Sequence, residues 1–111
     1  EMIIAAAIDG SGILTGIGRA PRIAIAKVHS NKIESVEEID VKWEEANERE
    51  QEGLHHSNVA KFFRAQGVTD IVAAGAGPDM QRMIEKLGIK LHMALGSYRS
   101  AIEAVAAQGK A

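Results

Sequence analysis

The sequence has no cysteine. That absence excludes disulfides, thiolate zinc sites, cysteine nucleophiles and any iron–sulfur cluster anchored by this chain's own thiolates. Net charge is nearly missing too, at −2 over 111 residues, so bulk electrostatics gives no reason to expect a nucleic-acid partner. Long apolar runs are also lacking, and none approaches the ~20 residues of a membrane span. The apolar stretch over residues 2–8 has no basic residue before it and is closed by Asp9-Gly10, so it lacks the layout of a signal peptide. The expected setting is soluble and cytoplasmic, with no membrane partner.

What is present suits a globular chain. Hydrophobic residues make up 46% and charged residues 25%, which argues against disorder. The length suits one domain over residues 1–111, large enough to bury roughly two thirds of its unfolded surface. The near-neutral total hides an asymmetry. Residues 34–52 hold nine acids against Lys42 and Arg49, a net −7, which leaves +5 on the rest. This stretch reads as a solvated strand edge followed by a polar loop, expected to lie away from any anion site.

The apolar run over residues 2–8 has the length of a strand buried on both faces. A glycine-rich loop follows, with Gly10, Gly12, Gly16 and Gly18 ahead of Pro21. Residues 22–29 and 32–41 read as strands around the two-residue turn Ser30-Asn31, an antiparallel hairpin. From Gly53 the period becomes helical, with Val59, Phe62, Phe63 and Gln66 on one stripe and Gly67 as the stop. A short strand over 69–74 leads to Gly75-Ala76-Gly77-Pro78, where Pro78 suits the first position of a helix. That helix runs to about Leu87 and Gly88 ends it. A strand over 89–93 follows. Ser97 then opens a last helix with Ala101, Ile102, Val105 and Ala106 inward and Gly109 near its end. The order β-β-β-α-β-α-β-α predicts a mixed five-stranded α/β sheet with helices packed on it and the last two strands parallel to the first.

In such sheets, ligands bind beyond the carboxyl ends of the parallel strands. Three segments are expected to meet there: residues 9–19, residues 75–78 and residues 94–97, with His55 and His56 nearby. Gly75, Ala76 and Gly77 open a helix, where free N–H groups and the helix dipole favour an anion. Gly16 and Gly18 permit close approach, and Arg19 adds a permanent cation with a fork of donors. His55 and His56 are the candidate metal ligands. As neighbours on a helix they diverge by about 100°, so they do not make the i, i+4 ligand pair of a helical metal site. His92 reads as a satisfied strand histidine and His29 as a solvated turn residue. Asp9, Asp79, Ser11 and Ser97 belong to no recognisable nucleophile–base–orienter spacing, so no catalytic residue is assigned.

Several short motifs also fall in a familiar order. They are Gly18-Arg19-Ala20-Pro21, Gln66-Gly67-Val68 with Asp70-Ile71-Val72, Gly75 and Gly77-Pro78, Gly88-Ile89-Lys90, and Ile102-Glu103-Ala104 in the closing helix. Together they resemble the dinitrogenase iron–molybdenum cofactor biosynthesis family, the NifX-like proteins and the C-terminal domain of NifB-like proteins. The resemblance implies a ribonuclease-H-like fold and non-covalent carriage of a metal–sulfur cluster, of iron–molybdenum or molybdenum–copper type, without catalytic turnover. It also implies cluster donor and acceptor proteins as partners. Orange proteins of sulfate-reducing bacteria are similar in size. Many relatives carry a histidine–aromatic pair just before Gly-Arg-Ala. Here Gly16 and Ile17 stand there, so that loop offers no imidazole.

Two other readings belong to different classes. One is a metal-dependent hydrolase, or a binder of a phosphorylated small molecule or nucleic acid, using the same helix mouth for phosphate. The other is an interaction module built on the acidic residues 34–52.

Overall fold

The computed structural model describes residues 1–49 and 52–108. Its strands are β1 (Met2–Ile8), β2 (Arg22–His29), β3 (Lys32–Asp40), β4 (Asp70–Ala73) and β5 (Lys90–Met93). Its helices are α1 (Trp43–Arg49), α2 (Glu52–Gln66), α3 (Pro78–Lys86) and α4 (Tyr98–Gln108), with a single 3-10 turn at Ile17–Arg19. The sheet order is β3-β2-β1-β4-β5. The first three strands form an antiparallel meander, while β4 and β5 run parallel to β1.

Each strand is where its residues require it. β1 is apolar throughout because it is central and covered on both sides. Ala5 and Ala7 face the core under α2 and α3, and Ile4, Ala6 and Ile8 face the core under α4. The β2–β3 turn holds Ser30 and Asn31 at φ 53° and 65°, the two left-handed residues of a tight hairpin. On one side Val59 and Phe63 of α2 pack with Met80 and Ile84 of α3; on the other lie Ala101, Ile102, Val105 and Ala106 of α4. The Tyr98 hydroxyl donates to Glu38 Oε2 at 2.9 Å, tying α4 to β3, and burial beside that carboxylate holds its pKa above the ordinary tyrosine value. The expected helix end near Gly109 lies outside the described residues.

One segment differs from expectation. The stretch after β3 reads as a polar loop, yet residues 43–49 form α1. The cause is Trp43, which is 6% exposed and packs edge-on against Phe62 and Phe63 at 5.5 and 5.6 Å between ring centres. The Trp43 backbone N–H donates to the Ala20 carbonyl at 3.0 Å. The acidic stretch is therefore not all remote. β3 lies at the sheet's far edge, but α1 turns back and packs on the 3-10 turn of the glycine loop.

Candidate functional site

The carboxyl ends of β1 and β4 are joined by the loop that leaves β1. Asp9 starts it: its Oδ1 accepts the N–H groups of Ser11 at 2.8 Å and Ile13 at 3.0 Å. The chain then crosses the sheet edge. Leu14 N–H donates to the Gly96 carbonyl, Ala74 N–H to the Thr15 carbonyl, and Ile17 N–H to the Gly75 carbonyl, at 2.9, 2.8 and 3.1 Å. Gly16 and Gly75 thus lie side by side. Asp9→Ala removes the one oxygen that accepts both loop N–H groups and is expected to lower the unfolding free energy by about 1–2 kcal/mol in a urea titration.

A cavity of about 320 Å³ opens beyond that junction. Its lining includes Gly16, Gly18 and Arg19 from the loop, Gly75, Ala76 and Gly77 from the β4–α3 turn, and His56 from α2. Two of the three expected segments therefore meet, and the third does not contribute. Residues 94–97 bond to the first half of the loop, through Leu14 and through the Ile13–Ser97 bridge, and so stand apart from the cavity.

The two histidines separate as the helical angle predicts. His56 lines the cavity, whereas His55 is 2% exposed beneath the loop, its Nε2 donating to the Gly18 carbonyl at 2.8 Å. His92 is a strand tie: its Nε2 lies 2.9 Å from Oδ2 of buried Asp70, which also accepts from the Thr69 hydroxyl. Asp79 lines the cavity with its carboxylate bonded to Arg82, which offsets its charge. Met80 lines it as well, although its helical spacing marks only a core face. Spacing carries no signal for that second role, because it arises from the loop folding over α3.

The glycines divide into two sets. Gly12 and Gly88 sit at φ +84° and +77°, where other residues are strained. Gly75 and Gly77 have no such constraint, and a Cβ on either would meet nothing within 4 Å. The backbone does not need glycine at 75 or 77, and both residues line the cavity with open space where a side chain would stand. α3 begins there with Gly77 as N-cap and no side-chain cap, and Pro78 follows. The lining thus combines backbone at a helix N-terminus with one guanidinium, one imidazole, the Arg82-paired carboxylate of Asp79 and the apolar side chains of Ile17 and Met80. Among the described residues no group of three or more His, Cys, Asp or Glu could hold a metal ion. Such a donor set suits an anionic group that brings its own ligands rather than a bare cation.

Fold and site together define a small α/β domain with a glycine-walled cavity at the carboxyl edge of its sheet. The family model described as dinitrogenase iron–molybdenum cofactor matches residues 1–108, and the chain belongs to that family. Solved structures agree on the fold. A protein of Thermotoga described as a candidate NifB protein is similar at 20% identity and TM-score 0.73, over 99% of this chain and 90% of that one. A candidate dinitrogenase from Methanocaldococcus jannaschii is similar at 15% identity and TM-score 0.72, over 96% and 89%. The apo form of the orange protein from Desulfovibrio gigas is similar at 20% identity and TM-score 0.74, over 96% and 88%. No curated protein matches the sequence significantly.

Proposed function

We propose that this protein binds and carries an anionic metal–sulfur cluster, as an iron–molybdenum cofactor precursor or a molybdenum–copper sulfide, without turning it over. The observation that carries this reading is the pair Gly75 and Gly77, glycines that the backbone does not require and whose missing side chains keep the cradle open. Cargo sits against their amides and the α3 N-terminus, with Gly16 and Gly18 admitting it closely and Arg19 supplying the opposing charge. In this reading His56, on the cavity wall, supplies the ligating imidazole. With no cysteine in the chain, the cluster keeps its own sulfide and is held non-covalently, which suits exchange with donor and acceptor proteins. The family's link to the dinitrogenase iron–molybdenum cofactor favours a cluster over a phosphate ester. The placement of Asp9, with its Oδ1 taken by two loop amides, does not favour a hydrolase.

Reconstitution of the purified protein with tetrathiomolybdate and copper(I), or with iron, molybdate and sulfide, tests the proposal by its visible spectrum. Failure to take up either cluster sinks it. Arg19→Ala is expected to weaken uptake by about 10- to 100-fold, the worth of one charge-assisted contact, with a shallower salt dependence. Unchanged affinity in that variant removes the electrostatic part of the reading.

A further inference from the structure

One polar group beneath the cradle is used by nothing described so far. His55 is 2% exposed and does not line the cavity. Its Nε2 sits 2.8 Å from the Gly18 carbonyl oxygen. A carbonyl only accepts, so Nε2 is the donor in this bond, and the ring's other nitrogen, Nδ1, takes no part in it. That Nδ1 is buried and has no hydrogen-bond partner among the described residues. Buried polar atoms are nearly always satisfied, so each exception needs a reason. The ring stands edge-on to Trp43 at 6.5 Å between ring centres and tilted to His56 at 6.1 Å, contacts that a phenylalanine would make without the orphaned atom. The position tolerates an unpaired nitrogen while its other nitrogen makes one bond, and that bond ends on the loop of the cradle.

We infer that His55 is a positioning residue for the cradle, holding the Gly18 carbonyl inward so that its negative end does not face the bound anion. The inference rests on the anionic-cargo reading above. Gly18 lines the cavity, and a glycine's backbone turns over at small steric cost. Without a donor beneath it, the Gly18–Arg19 peptide is free to aim its oxygen at the cargo, where a carbonyl dipole repels an anion. The two adjacent imidazoles of α2 then have different tasks. His55 orients the loop from below, and His56 forms part of the wall.

The test compares His55→Phe, His55→Asn and His55→Gln with the wild-type chain. Asparagine is too short to reach Gly18, whereas the glutamine amide reaches about as far as Nε2. The probe is tetrathiomolybdate, titrated by its visible absorbance. NMR relaxation dispersion on the Gly18 and Arg19 amides reports millisecond motion of the loop. The phenylalanine and asparagine variants are expected to bind about tenfold more weakly and to show new exchange at Gly18 and Arg19, while glutamine restores both. Two results overturn the inference: wild-type affinity with a quiet loop in the phenylalanine and asparagine variants, or a glutamine variant as impaired as they are. If the phenylalanine variant fails to fold, the asparagine–glutamine pair carries the same comparison. Wild-type protein that binds no tetrathiomolybdate overturns the cargo reading, and the relaxation data then decide separately whether His55 holds the loop.

Discussion

Gly75→Leu is expected to abolish cluster binding while leaving the fold intact. The substitution sends a side chain into space that is open now, since no atom lies within 4 Å of a Cβ built there. Nothing in the backbone opposes it, because Gly75 is not left-handed and its carbonyl continues to accept from Ile17. The melting temperature is expected to hold or rise slightly, because replacing a permissive glycine at an allowed conformation stabilises by about 0.4–1 kcal/mol through the unfolded chain. Affinity for the reconstituted cluster is expected to fall by at least about 100-fold, close to 3 kcal/mol, because the leucine occupies the cradle. Gly12→Leu makes the contrast. There φ is +84° and a Cβ lies 3.4 Å from the Tyr98 ring, so that variant loses stability first. Calorimetry with a binding titration on both variants separates the cases. Full cluster uptake by Gly75→Leu means that the cargo sits elsewhere.

Phe63→Ala carries the largest expected effect on stability. Phe63 is fully buried and stacks edge-on against both Trp43 and Phe62. Truncation removes its transfer free energy and leaves a cavity among rigid neighbours, a loss of about 3–5 kcal/mol. Against a domain total of about 5–15 kcal/mol, that is a large fraction. A fall in melting temperature on the order of 15 °C is expected, since each kcal/mol moves a domain of this size by about 4–8 °C. Leu54→Ala on the same helix serves as control, because Leu54 is 54% exposed and its loss is expected to stay within about 0.5 kcal/mol. A fall below 5 °C for Phe63→Ala contradicts this account of the core. The effect reaches function too, since α2 carries both the histidine under the loop and the one at the cavity wall.

Much of this was legible from residues alone. β2 spans the expected residues 22–29, and α3 starts at Pro78 as its missing N–H and fixed φ suggest. Gly67 and Gly88 take the left-handed φ that ends a helix. The helical angle between His55 and His56 anticipated their divergence. It did not say which would face the cavity, because that depends on how α2 lies under the loop. α1 escaped because seven residues with one strong apolar anchor make no period. Trp43 is a packing signal only once Phe62 and Phe63 are beside it. Residues 94–97 were expected at the site because they end a parallel strand. The β1–β2 connection reaches them first and bonds to them, so they hold the loop in place instead.

The absence of cysteine and the local chemistry are properties of composition and order. They settled that this chain holds any cluster without thiolates of its own, that the elements follow one another as they do apart from α1, and that glycines stand at the β4–α3 turn and, with Arg19, in the loop after β1. Those conclusions need only near-neighbour physics: burial patterns, dihedral preferences and charge. The cradle itself is not a near-neighbour property. Gly16 and Gly75 are brought together by a loop bonded across the sheet edge, and the 3-10 turn is backed by α1 and by His55 from a distant helix. Long-range hydrogen bonds and packing made the pocket and chose which imidazole it sees. They also brought part of the acidic segment back beside the loop, where charge counting alone had placed it far away.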